Sequence, residues 1–397
     1  MNLLVIAVEY EDKPHTYPAD QIQLKIFGEE GSVADYYHDV SYKSVTIKKA
    51  RKKNGTIDDG LIGWLKLSGK HPNTGYNTDK RNQKIAKNAI MAADEYIDFD
   101  IYDSNNDGII EPTELSIIVI VAGYEASFSG SLTPSIWGHQ GCMANVGYPV
   151  VDGKTIERYA ELGEIHKDHL ATMGIMAHEL GHLMFSLPDL YDTTPYKTVD
   201  SFGIGAFCLM GYGAWGAAEG KLRGSSPTYL CAWSTESLNW GIVNPIKSAQ
   251  TVSFPSVRDN KSSIFRIDTQ DKDQYFLIEN RQFSGYDIGF QGLAGTSGHG
   301  GLVMYHIDKL KTGLWPEQNT VNADVNDKGV DIEEANEGSK GSMLDNMKSS
   351  VDTGMFYFQE NSNVSFTDKT VPNSKLKNGK STNISVTSIS SPTLPSS

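Results

Sequence analysis

Leu115-Ser116-Ile117-Ile118-Val119-Ile120-Val121-Ala122 carries one polar residue in eight. Successive side chains on a strand point to opposite faces, so a run this apolar has no face to give to water. It predicts a central strand buried on both sides. Leu3 to Val8 reads as a second strand. Asp79 to Asp98 places Ile85, Ala86, Ala89, Ile90, Ala93, Tyr96 and Ile97 at helical spacing. Up to about residue 240 strand and helix signals are mixed. Beyond Trp240-Gly241 the helical spacing vanishes. Strand-like runs follow at Thr251 to Phe254, Tyr275 to Ile278, Gly301 to Ile307, Met355 to Phe358 and Ile384 to Ile389. The reading is an α+β fold in two parts: a mixed domain over 1–240 and an all-β, sandwich-like domain over 241–397. The tail from Ser390, with Pro392 and Pro395, reads as a frayed end or a severed linker.

Composition narrows the function. The chain has 397 residues, long enough for more than one core. Its formal net charge of −14 argues against nucleic acid and anionic membrane surfaces. Cys142, Cys208 and Cys231 permit at most one disulfide, so no disulfide framework is expected. No apolar run approaches the length of a membrane span. Asn2 to Tyr10 lacks a basic start and a small-residue cleavage site, so it reads as a buried strand and not as a signal peptide.

His178-Glu179-Leu180-Gly181-His182 lies in an apolar run expected to be helical from Leu170 to Phe185. Residues four apart sit on one helix face, about 6 Å apart, so both imidazoles can reach one zinc ion. Glu179 lies about 100° round the helix, better placed to take a proton from a metal-bound water than to be a third ligand. A catalytic zinc takes three protein ligands and a water. Pro188 disfavours helix at Leu187, so the chain is expected to turn back there. Asp189, the first carboxylate after that break, is the expected third ligand. Asp192 and then Glu219 are the alternatives, a losing aspartate being turn-forming or a hydrogen-bond partner of a ligand.

Asp103-Ser104-Asn105-Asn106-Asp107-Gly108-Ile109-Ile110-Glu111-Pro112-Thr113-Glu114 fits a calcium loop. Asp103, Asn105, Asp107 and Glu114 supply side-chain oxygens, Ile109 its carbonyl, and Gly108 the sharp turn. Because a β-run follows Glu114, one structural calcium is expected and not a paired EF-hand. Asp308 and Asp331 are weaker candidates for further calcium. His306, inside an apolar strand run, reads as a satisfied core histidine.

Cys208-Leu209-Met210-Gly211-Tyr212-Gly213 follows the histidine helix. It resembles the methionine turn that lies beneath the zinc of metzincins. Tyr212 resembles the tyrosine that some metzincins swing toward the metal. Further pieces are Gly31 to Tyr37 with Val40-Ser41-Tyr42, Ile136-Trp137-Gly138-His139, Ala232-Trp233, Ile278 to Gln282 and Tyr305-His306-Ile307-Asp308. Together with the acidic loop and the histidine helix, they resemble the immune inhibitor A family of secreted bacterial metallopeptidases, in family order across most of the chain. The resemblance implies a secreted, monomeric zinc and calcium endopeptidase acting on protein or peptide substrates. Glu179 would be its general base and Tyr212 a stabiliser of the oxyanion. It also implies a signal peptide and a propeptide, whereas this sequence starts directly on the Asn2–Tyr10 strand. His139 and Glu164 resemble positions near the family's cleft but read as structural.

The metzincin pattern has a glycine three residues after the second histidine and the third ligand six after. Phe185 and Pro188 hold those places here, with Ser186 and Asp189 one later. A pseudoenzyme or binding module is disfavoured by the intact Glu179, and a zinc hydrolase of non-peptide bonds is the reading sequence excludes least.

Overall fold

The computed structural model describes residues 1–53, 59–194, 198–296, 298–361 and 364–391. Pro392 and Pro395 lie outside these residues. The chain divides into two compact units, Met1–His38 with Val45–Ser186, and Asp39–Ser44 with Leu187–Ser397.

The first unit is built on a mixed sheet. Its main strands are β1 (Asn2–Glu9), β2 (Leu61–Lys66), β3 (Leu115–Glu125), β4 (His139–Cys142), β5 (Arg158–His166) and β6 (His169–Leu170). β1 pairs in parallel with β2 and with β3, and β3 with β5. β4 and β6 are antiparallel to β5. Register places Val5 beside Ile118 and Leu162 beside Ile120. Every residue from Leu115 to Ala122 is buried, as a strand inside a sheet covered on both faces must be. Leu4, Ile6 and Val8 of β1 and Ile117, Val119 and Val121 of β3 point to one side. There they join Ile85, Ala86, Ala89, Ile90 and Ala93 in one apolar cluster.

Those last five residues belong to helix Lys80–Ala93, which is shorter than the periodicity suggests. Asp79 caps its start, its carboxylate accepting from the Arg81 amide while Asn82 Oδ1 accepts from the Asp79 amide. Ile97 remains buried beyond the helix end, and Tyr96 is exposed. The histidine helix runs Met173–Phe185, because Leu170 is taken up by β6, paired with Ile165.

In the second unit, β7 (Val243–Pro245), β8 (Ile264–Asp268), β9 (Gln274–Arg281), β10 (Gly301–Asp308) and β11 (Val330–Ile332) form a five-stranded sheet in that order. All its pairings are antiparallel except β7 with β8. Phe276, Ile278 and Met304 on one face pack with Tyr357, Phe366 and Ile389 and with half-buried Ile384 and Val386. Part of this cluster comes from β12 (Phe366–Thr367) and β13 (Ser385–Val386), a two-residue pair. Thr251–Phe254 is irregular and not a strand. Met355–Phe358 contributes only the bridge of Tyr357 to Leu302, and Ile384–Ile389 only the two residues of β13. These segments give apolar side chains to the cluster without an extended hydrogen-bonded ladder, so their periodicity overstated the strands. Among the described residues no helix is long and apolar enough to cross a membrane.

Candidate metal centre

β5 ends at His166, and after the short return of β6 the amide of Ala171 donates to Glu164 O at 2.8 Å. That turn launches the histidine helix, which packs against β3, β4 and β5. Met173 to Gly181 are all buried, as expected of a helix apolar on nearly every side. The Tyr37 hydroxyl donates to Ala177 O at 2.6 Å, fixing the turn that carries His178. Glu125, buried at the end of β3, accepts from the Gly138 amide at 3.0 Å and from Ser127 and Phe128. Burial raises its carboxyl above the ordinary range despite those donors. A Cβ on Gly138 would sit 3.0 Å from Ile175 and 3.4 Å from Glu179 Oε1. The lack of a side chain there is what lets the strand lead-in come so close to the glutamate.

His178 and His182 present Nε2 to Nε2 at 3.2 Å, their rings nearly perpendicular at 89°. Two nitrogens each about 2.05 Å from one tetrahedral zinc would be about 3.3 Å apart. After Phe185 the chain reverses through Ser186, which takes the left-handed conformation (φ 54°, ψ 37°) and donates its amide to His182 O and Gly181 O. The left-handed residue is thus Ser186, one position after Phe185, which holds the place where the metzincin pattern has its glycine. The next residues shift with it. Leu187 and Leu190 are buried, and the Leu190 amide donates to Met210 O at 2.8 Å.

His178, His182 and Asp189 each offer a ligand atom within 4.8 Å of the others, and they form the one such trio among the described residues. Two imidazole nitrogens and a carboxylate oxygen, with a further position open, are the donor set of a catalytic zinc. Asp189 is buried and Glu179 is 4% exposed. Asp192 is occupied otherwise: Oδ1 accepts from the Thr194 amide and hydroxyl, and Oδ2 from the Asp200 amide. Burial alone would raise its carboxyl, but these hydrogen bonds outweigh it and hold it below the usual range. Glu219 is exposed. Met210 is wholly buried, and Tyr212, on the short turn Tyr212–Trp215, packs perpendicular to the Phe202 ring with the ring centroids 4.7 Å apart.

The remaining candidates divide by their partners. His139 is buried between Trp137 O and the Tyr159 hydroxyl, and burial lowers its pKa. Glu164 Oε1 accepts from the amides of Thr16 and Tyr17. His306 lies between Gln274 Oε1 and Glu333 Oε1. Asp308 pairs with Lys377 and Asp331 with Lys328.

In the acidic loop the backbone turns at Asn106 (φ 59°) and Gly108 (φ 87°). Asp103 accepts from the amides of Asp107 and Gly108 and pairs with Lys154 Nζ at 2.6 Å. The lysine is the main reason that its carboxyl sits low. Asn105 Oδ1 accepts from the Asp107 amide and Asp107 Oδ1 from the Ile109 amide, while Glu114 binds the Ser104 amide and hydroxyl. Ile109 also begins a two-residue strand pairing with Thr155.

Sequence reasoning gave Tyr37 no role beyond its place in a family-like piece, and it missed Glu125 and Asn319. Asn319 Nδ2 donates to Asp189 Oδ2 at 2.6 Å, and the Asp189 amide donates to Asn319 Oδ1 at 3.0 Å. The partners lie 130 residues apart, and no local pattern marks an asparagine for that role.

The family model of the immune inhibitor A peptidase M6 catalytic domain matches residues 9–242, more than half of the chain. A search of curated proteins finds no match.

Proposed function

This chain belongs to the immune inhibitor A peptidase family, and from that premise we propose that it is a secreted zinc endopeptidase in which Glu179 is the general base. Membership makes it a metallopeptidase that acts on proteins. The observation that carries the zinc reading is the trio His178, His182 and Asp189, with the two Nε2 atoms 3.2 Å apart. Zinc, when bound there, acidifies a coordinated water and polarises the scissile carbonyl.

The rest falls to the chain's own groups. His178 and His182 bind through neutral Nε2, and Asp189 completes the donor set. Glu179, one residue round the helix, takes the proton from the attacking water and passes it to the leaving amine. Tyr212 donates to the developing oxyanion. The acidic loop of Asp103, Asn105, Asp107, Ile109 and Glu114 takes one structural calcium, supported by its ligand spacing and the turn at Gly108. We assign residues 1–240 to catalysis and 241–397 to a sandwich-like β domain, a reading favoured by the end of the family match at 242. The active form is a monomer.

Glu179→Gln tests the mechanism. The variant should hold zinc like the parent, while cleavage of casein falls by on the order of a thousandfold or more. Near-normal proteolysis with zinc bound would remove Glu179 from the role. A parent that binds zinc but yields no casein peptides on mapping would point to a non-peptide substrate.

A further inference from the structure

We propose that Asn319 is a positioning residue for the metal centre, fixing the Asp189 carboxylate from a strap that lies outside the family-matching segment. The inference rests on the zinc reading of the site. The strap is residues 313–329, between the short helix Lys309–Thr312 at the end of β10 and the start of β11.

Four hydrogen bonds tie it to the segment that carries Asp189. Two are the reciprocal pair in which the side chain of Asn319 engages both the carboxylate and the amide of Asp189. The Thr193 hydroxyl donates to Asn319 O at 2.7 Å, and Asn322 Nδ2 donates to Leu190 O at 3.0 Å. The strap is itself anchored. Fully buried Asn322 accepts from the Val330 amide and donates to Val330 O, so it is clamped to β11. The Gly329 amide donates to Val321 O at 2.7 Å, and the Asp308 amide to Gly329 O at 2.9 Å.

The chemistry is a matter of valence. A carboxylate offers two oxygens, and a free one can rotate to present either, or both. With Oδ2 accepting from the Asn319 amide group at 2.6 Å and the Asp189 amide donating back to Asn319 Oδ1 at 3.0 Å, the carboxylate cannot rotate freely, and its plane is set before an ion arrives. Groups that orient a metal ligand in this way contribute about 10–100-fold to affinity. Asn319 and Asn322 are reached only through the fold of the C-terminal part. That part is therefore not a passive appendage: it fixes the carboxylate of the donor set begun on the histidine helix.

The test is zinc affinity of the full-length protein, read by competition with a chromophoric chelator and independent of turnover. Asn319→Ala should bind zinc about 10–100-fold more weakly than the parent, while the melting temperature of the zinc-free protein stays close to the parent's. Asn319→Leu, of similar volume but without donor or acceptor, should do the same and decides the matter if the alanine variant does not fold. Asp189→Ala should lose more. The double variant Asp189→Ala/Asn319→Ala should match Asp189→Ala within about twofold, because Asn319 acts only through that carboxylate. Affinity within about twofold of the parent in the Asn319 variants, or a double variant that loses a further factor as large as Asn319→Ala alone, overturns the proposal. A parent chain that takes up no zinc overturns the zinc reading itself, a different outcome from either.

Discussion

Glu161 is fully buried in the first unit, where Oε1 accepts from Asn82 Nδ2 at 3.0 Å and Oε2 has no hydrogen-bond partner among the described residues. Burial pushes its carboxyl up to about 8, the Asn82 hydrogen bond opposing only part of that. In the unfolded chain the group titrates near 4.5. Below that pH both states are protonated and nothing is lost. Between about 4.5 and 8 the unfolded chain releases the proton that the folded chain keeps, so stability falls as pH rises through this window and levels off above it. His71 and His166, pushed down to about 4 and about 3 chiefly by burial, act in the other direction. The unfolded chain takes up protons that they refuse, so acidification below about 6.5 costs stability. Glu161→Gln keeps an acceptor for Asn82 and cannot ionise. Subtracting its melting curve from the parent's between about pH 5 and 8 should leave a slope worth on the order of a few kcal/mol, favouring the variant at alkaline pH. A flat difference would place the Glu161 proton elsewhere.

Among the elements, the histidine helix was legible because its signal is local. Apolar residues on all sides fix its burial, and two histidines four apart place both imidazoles on one face, within one stretch. Its start falls three residues later than the periodicity indicates, since nothing local shows that Leu170 would pair with Ile165 in β6. The strand runs after Trp240 failed where apolar residues serve packing alone, as at Thr251–Phe254. In the acidic loop the turn at Gly108 was readable from sequence, but the ammonium of Lys154 on Asp103 was not, because the two are 51 residues apart. Lys154 sits on Oδ2 of Asp103, so its ammonium competes for the charge that calcium would use. Adding EGTA to the calcium-loaded parent should therefore lower its melting temperature, by the loss of about 2.7 kcal/mol if calcium had stood at a hundredfold excess over Kd. Asp107→Ala should abolish most of that response. Identical melting of parent and variant, with and without calcium, would leave the loop a turn held by Lys154 and its own amides.

For the molecule as a whole, the family match stops at 242, while the second compact unit runs on from Leu187 to the end of the chain. The segment 187–242 is thus packed with the β sheet C-terminal to it. Arg281, wholly buried, donates to Phe207 O at 2.8 Å and is held by both oxygens of Asp287 and by Glu279. The run Ile278 to Gln282, which the sequence offered only as a mark of kinship, is therefore part of what holds residues 207–229 in place. Removing one partner of such a buried ion network leaves an uncompensated charge and costs several kcal/mol. Cutting the chain at 242 removes Arg281, Asp287 and the Asn319 strap together. The 1–242 fragment should keep the first unit's sheet, whose strands all lie before residue 171, but leave residues 187–242 without their partners. Its zinc affinity should fall by at least the roughly 10–100-fold expected of the Asn319 variants, and casein cleavage should be lost with it. Limited proteolysis should clip the fragment within 187–242 while sparing the same residues in the full chain. A fragment that binds zinc as the full chain does, and resists clipping there, would show that the catalytic part stands alone.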